Sequence, residues 1–234
     1  MFVNACMTNR YAIYGLLASS PLKPQGITAS NGSAFMVAPG FLITAAHCVH
    51  QDTNHKKPIH AKLELIRVPD IGQRMEIAKL HAIDDALDLA VLRIDDPRSK
   101  ACLLLLDRAV PRGTSVGSLG FPLGQVLFTP QGMAFNVVER FQSASLSAFV
   151  SATRPDGSLD QYYETDSLMY GGSSGCPGFL ATGEVWGMQN RSLMQTPKTK
   201  TRTVAAPDST RLAVSLWVPS TVILGFAMQH QVPL

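Results

Sequence analysis

The sequence predicts an all-β protein, and three observations carry that prediction. Short runs alternate apolar and polar side chains with a period of two, most plainly Ala61-Lys62-Leu63-Glu64-Leu65-Ile66-Arg67-Val68. Turn signals rich in glycine, proline, asparagine and aspartate separate such runs. There is no heptad pattern, internal repeat or low-complexity block. The 234 residues, 46% hydrophobic and 16% charged, can bury a core in one large domain or in two small ones sharing an interface. No apolar run reaches the roughly 20 residues that span a bilayer. A net charge of +3 gives no reason to expect a nucleic acid or an anionic membrane as partner.

Taken in order, residues 1–10 lack the basic start and apolar core of a signal peptide. Tyr11 to Ala18 reads as a first strand, ended by Pro21 and Pro24. Residues 33–47 read as a hairpin turned at Ala38-Pro39-Gly40, which delivers His47 to a strand end. Residues 50–60 are polar and read as a solvated surface loop; His50, His55 and His60 invite a metal, but no cysteine or carboxylate stands at ligand spacing, and none is expected. Residues 61–68, 74–83 and 88–94 read as strands. Residues 107–113 read as a linker, with a new run of strands beginning at Gly113. Segments 124–136 and 151–160, rich in Gly, Pro, Ser and Asp, read as mobile loops, and Lys198 to Arg202 as a solvated loop. Ser220, after Pro219, reads as the N-cap of a helix over Thr221 to Gln229.

The chemistry gathers at Gly171-Gly172-Ser173-Ser174-Gly175-Cys176-Pro177-Gly178. Glycines on both sides of a serine suit a sharp exposed turn that presents a hydroxyl while backbone N–H groups point at one spot. A nucleophilic serine with an oxyanion hole needs that arrangement, together with a base and a carboxylate to orient the base. Upstream, Thr44-Ala45-Ala46-His47-Cys48-Val49 ends an apolar run, and Asp88-Leu89-Ala90-Val91-Leu92 opens a strand on a carboxylate. Singly, each has a plain structural reading: a strand-end histidine, a turn aspartate, a turn serine. Together they supply base, orienting acid and nucleophile in the order His, Asp, Ser. An esterase built on a G-x-S-x-G elbow needs the order Ser, Asp, His in a strand-to-helix setting, which is the reverse.

These motifs, with Thr165-Asp166, Val116-Gly117-Ser118-Leu119-Gly120-Phe121-Pro122 and Trp217-Val218-Pro219-Ser220, resemble the trypsin-like serine proteases of the chymotrypsin fold, and among them the HtrA/Deg branch. The likeness runs from about Asn31 to about His230. It implies two six-stranded antiparallel β-barrels and a short closing helix at about 220–230. The first barrel, 1–110, would carry His47 and Asp88 and be closed by Leu103 to Leu106; the second, 111–234, would carry Ser174. Of the three neighbouring aspartates, Asp84, Asp85 and Asp88, only Asp88 fits the family pattern. The resemblance also implies an oxyanion hole from the backbone N–H groups of Gly172 and Ser174, and a primary pocket with Leu168 at its base and Met188 and Asn190 as walls.

The implied activity is serine endopeptidase action through an acyl-enzyme. With no acid at Leu168, it would prefer small or medium apolar P1 residues. The implied partners are a protein or peptide substrate and a regulatory partner or fused domain, with no cofactor. The alternative is a catalytically silent domain that binds peptides or serves as a scaffold. Two positions depart from the family. Ser173 replaces the aspartate that pairs with a freed N-terminus, which argues against that activation route, and Cys176 replaces a glycine and is expected to be a packed thiol. Gly32 stands where the usual disulfide partner of Cys48 would be, so free thiols and a cytoplasmic setting are expected.

Overall fold

The computed structural model describes residues 1–21, 26–70, 72, 74–129, 132–153, 159–195 and 210–234. Twelve of the described strands fall into two sets. β1 (Ile13–Pro21), β2 (Ile27–Ala38), β3 (Phe41–Ala45), β4 (Lys62–Ile66), β5 (Glu76–Asp84) and β6 (Leu89–Arg93) close an antiparallel barrel in the order β1-β2-β3-β6-β5-β4. β7 (Ser115–Gly120), β10 (Arg140–Thr153), β11 (Leu159–Thr165), β12 (Pro177–Phe179), β13 (Val185–Gln195) and β14 (Thr210–Pro219) close the second, in the order β10-β11-β14-β13-β12-β7. Closure leaves neither sheet with a free edge. β8 (Gln125–Thr129) and β9 (Gly132–Asn136) pair antiparallel with each other as a separate sheet, so the described residues 125–129 and 132–136 of the segment read as a loop over 124–136 are strands. Of the segment 151–160, residues 151–153 belong to β10 and 159–160 to β11, while 154–158 lie outside the described residues, as does Lys198 to Arg202.

The first strand begins two residues later than its apolar pattern suggests, because Arg10 to Ala12 form a 3-10 turn after a helix, α1 (Val3–Asn9). No periodic signal announces that helix. It is held to the second barrel by Phe2 just before it, whose ring meets Phe141 at 5.7 Å and Phe179 at 6.3 Å, and by its last residue Asn9, whose amide donates to Gly183 O at 2.9 Å.

Leu103 to Leu106 does not close the first barrel. β4 pairs with both β1 and β5, and that completes the ring. The segment instead crosses between barrels: Leu103 N donates to Met36 O, Leu106 N to Val185 O, and Val185 N to Leu104 O, each at 2.8 Å. Its apolar side chains are buried at Leu103, Leu105 and Leu106, which is why it read as a strand. The closing helix α2 (Ser220–Gln229) sits where it was expected, but Ser220 is its first residue rather than its cap. The Ser220 hydroxyl donates to Leu106 O at 2.6 Å and ties the helix to the crossing segment.

The second barrel is filled by rings. Trp186 packs against Trp217 with centroids 4.9 Å apart and against Tyr163 at 5.5 Å. Gly178 makes room for this, since a Cβ there would lie 2.6 Å from Trp186 Cζ2. Trp186→Ala is expected to cost about 3–5 kcal/mol, because a fully buried indole leaves a cavity its neighbours cannot refill. A melting-temperature fall on the order of 10 °C in calorimetry would show it.

Candidate active site

His47 follows β3 in a 3-10 turn, Ala46–Cys48, and Asp88 precedes β6. Because β3 and β6 pair in register, Ala45 opposite Leu89, the turn and the aspartate come out side by side. Asp88 adopts a left-handed backbone, φ 54°, which bends its carboxylate back over the turn. Asp88 Oδ1 accepts the His47 backbone N–H at 2.8 Å, and Oδ2 lies 2.7 Å from His47 Nδ1. A third donor comes from the other barrel: Asn190 Nδ2 to Asp88 Oδ2 at 2.8 Å. Burial alone would raise the Asp88 carboxyl, but its hydrogen bonds to His47 and the attraction of that ring outweigh it and hold the group below the usual range. Burial likewise disfavours the His47 cation. The Cys48 sulfur beside it and the Asp88 hydrogen bond prevail, and the imidazole is held well above the ordinary histidine range.

Ser174 approaches from the second barrel. Its turn is fixed to the first barrel by two buried residues, Cys48, whose Sγ donates to Ser174 O at 3.6 Å, and above all Ser33. Ser33 N donates to Ser174 O at 2.8 Å, and Ser33 Oγ donates to Gly172 O at 2.8 Å while accepting Phe121 N at 3.0 Å. Gly172 has φ 91°, and a Cβ there would press on Phe121 O at 2.6 Å and Asn31 Nδ2 at 2.9 Å; Gly175, with φ 84°, has Ser33 O and Thr44 Oγ1 where a side chain would go. These two positions therefore require glycine. Neither Gly172 N nor Ser174 N is bonded to a backbone carbonyl among the described residues. The Ser174 hydroxyl donates to Asn190 O at 3.4 Å and forms no hydrogen bond to His47.

His47, Asp88 and Ser174 line one cavity of about 440 Å³, together with His55, Asp85, Tyr162, Met169, Gly171, Arg191 and Ser192. Asn190 lines it too, with its amide turned to Asp88. Leu168 and Met188 are not in the lining. Met188 is fully buried in the core on β13, its register opposite Pro177, and Leu168 accepts Gln142 Nε2 through its carbonyl. Met169, one residue further on, faces the cavity, and its carbonyl accepts Ser192 Oγ at 3.0 Å.

The segment 50–60 is a surface loop, exposed at Thr53, Asn54, Lys56, Lys57 and Pro58, but its histidines are drawn inward. His50 and His60 are buried, and His50 is bonded through both ring nitrogens, to Lys57 O at 2.8 Å and Asp85 Oδ1 at 2.9 Å. His55 stacks on His50 with centroids 4.9 Å apart and brings Nε2 to 3.2 Å from Asp88 Oδ1. Asp84 caps its own turn, accepting Ala86 N and Leu87 N. The three aspartates thus divide: one for the turn, one for His50, one for His47. Cys176 is buried beneath the serine turn, and burial pushes its thiol far up, the environment of a packed thiol and not of a nucleophile. All four cysteines are free; a Cβ at Gly32 would lie 2.5 Å from Cys48 Sγ, so the position opposite Cys48 is filled by the thiol itself.

Two closed barrels with a histidine–aspartate pair and a serine turn meeting between them define a chymotrypsin-like architecture. The family model for the trypsin-like peptidase domain matches residues 32–188, and the chain belongs to that family. Among curated proteins it is similar to serine protease HTRA4 of Mus musculus, 31% identical over 183 residues, and to serine protease HTR4 of Rattus norvegicus, 31% over 176. Each match covers 74% of this chain but 32% of the relative, so the chain spans about a third of their length. Among solved structures it resembles the HtrA-type protease AlgW with a tripeptide, TM-score 0.70 at 19% identity, covering 100% of this chain and 64% of that one. It also resembles the active form of the Rv3671c protease of M. tuberculosis, TM-score 0.67 at 16% identity, covering 97% of this chain and 84% of that one. At these identities the structural likeness speaks for the fold.

Proposed function

We propose that the chain is a serine endopeptidase working through Ser174, His47 and Asp88. The observation that carries this reading is the 2.7 Å contact between His47 Nδ1 and Asp88 Oδ2 at the wall of a cavity that Ser174 also lines. Ser174 Oγ attacks the scissile carbonyl as its proton passes to His47 Nε2. The tetrahedral oxyanion is held by the N–H groups of Gly172 and Ser174, and His47 then protonates the leaving amine. A water, deprotonated by His47, attacks the acyl carbon and returns Ser174 to its free form. Asp88 stays ionised throughout and keeps the proton of the neutral ring on Nδ1. The absence of a Ser174–His47 hydrogen bond favours the silent peptide-binding reading. Catalytic hydrogen bonds are often long without substrate, however, and tighten when it binds.

The acids among the described residues that line the cavity are already engaged, Asp85 by His50 and Asp88 by His47, so among these residues no free carboxylate awaits a cationic P1 side chain. Met169 supplies an apolar surface. Cleavage is expected after small or medium apolar residues, and a peptide library scanned at P1 checks it; a clear preference for Arg or Lys would contradict it. The four unpaired thiols suit a reducing compartment.

The pH dependence follows from the histidine. His47 accepts a proton only when neutral, and its surroundings raise the pH at which it becomes neutral. The acid limb of kcat/KM against pH is therefore expected above the ordinary histidine value of about 6.5. A profile with its half-maximum at or below that value would contradict the assignment of the raised group to the base.

A further inference from the structure

His55 is not needed for the mechanism above, yet the fold brings it to the same carboxylate. It lies in a left-handed conformation, φ 56°, which is uncommon for a non-glycine residue though histidine adopts it more readily than most. The stack on His50 holds it, and His50 is itself pinned by two hydrogen bonds. The result is an imidazole nitrogen, His55 Nε2, buried and 3.2 Å from Asp88 Oδ1 without the geometry of a hydrogen bond. One ligand atom from each of His47, His55 and Asp88 falls within 4.8 Å of the other two.

We propose that these three residues form a binding site for a divalent transition-metal ion, with Zn²⁺ as the ion best suited. Two imidazoles and one carboxylate are a common zinc donor set, leaving a fourth position for water. Donors about 2.0–2.1 Å from a tetrahedral zinc stand roughly 3.4 Å from one another. The 3.2 Å between His55 Nε2 and Asp88 Oδ1 already matches that spacing. A hard ion such as Mg²⁺ or Ca²⁺ asks for six or more oxygen ligands, and this set offers too few. The unpartnered nitrogen of His55 gains a ligand bond, which offsets its burial without a partner.

The consequence for activity rests on the peptidase reading; the binding does not. A metal on Nδ1 of His47 replaces the hydrogen bond to Asp88, and one on Nε2 occupies the site that receives the Ser174 proton. In either case His47 cannot act as base, so the bound ion is a reversible inhibitor. The site makes the free enzyme sensitive to zinc, and a chelator restores it.

The test uses chelator-stripped full chain carrying Ser174→Ala, which keeps all three ligands, titrated with ZnCl₂ in a calorimeter. One zinc per chain is expected, weakened at least tenfold by His55→Ala and unchanged by His81→Ala, an exposed histidine elsewhere. His55→Gln, closer in volume, should show the same weakening, with melting curves confirming that both variants fold. In the chain with Ser174 intact, zinc should slow labelling by a fluorophosphonate, EDTA should reverse this, and His55→Ala should abolish the zinc effect. No stoichiometric binding, or equal affinity in the His55 variants, overturns the site. Binding that leaves labelling unaffected overturns the inhibition. Failure of the metal-free chain to label at all would count against the peptidase reading, while the calorimetry still decides the metal site.

Discussion

Ser174→Ala is expected to lower kcat for peptide hydrolysis by on the order of 10⁴–10⁶-fold, with KM changed little. Only the hydroxyl is removed, and its one hydrogen bond among the described residues, to Asn190 O at 3.4 Å, is too long to contribute much to the fold. The Ser174 backbone, which Ser33 N holds through Ser174 O, keeps its place, and so do the glycines on either side. The melting temperature should therefore stay within a degree or two of the parent while activity disappears. Steady-state kinetics beside a thermal melt separate the two readouts. A variant that still cleaves at more than about one per cent of the parent rate would mean that another group carries the nucleophile.

Asp88→Asn is expected to cost about 10⁴-fold in kcat, nearly as much, for a different reason. The carboxylate is acceptor-only, and three donors converge on it: His47 N, His47 Nδ1 and Asn190 Nδ2. An amide offers one oxygen and must turn an NH₂ towards one of those donor-lined edges. If the NH₂ faces His47 Nδ1, the ring shifts its proton to Nε2 and can no longer accept one from Ser174. If it faces His47 N and His55, a buried donor meets a donor. The melting temperature should fall as well, unlike in Ser174→Ala, because buried hydrogen bonds to a charged acceptor are lost. Near-normal kcat in a folded Asp88→Asn would show that the ring is oriented by something other than Asp88.

Much of the architecture was legible because its signals are local. Period-two alternation located β4, the Pro39-Gly40 turn located the β2–β3 hairpin, and Pro219 before an apolar stretch located α2. The motifs around His47, Asp88 and Ser174 were legible for the same reason, each carrying its neighbours with it. The parts that escaped depend on contacts between distant residues. Buried leucines made 103–106 look like a strand, but its hydrogen bonds go to two barrels in turn. Polar composition made all of 50–60 look solvated; the middle of the segment is exposed, but His50 and His60 are buried by partners such as Asp85 and Ser20. Asn190 reads as a pocket wall by position, and its amide is aimed instead at a carboxylate 102 residues away. Ser33, which fastens the serine turn to the opposite barrel, carries no sequence signal at all.

The central claim is that a hydroxyl on one barrel is made nucleophilic by an imidazole on the other. Its most direct test is reaction of the metal-free chain with a fluorophosphonate, followed by mass spectrometry of the digested adduct. The account predicts one phosphonyl group per chain on the peptide bearing Ser174, formed far more slowly in a folded His47→Ala variant. No adduct in folded protein at any pH above the acid limb, or an adduct on another residue, would contradict it.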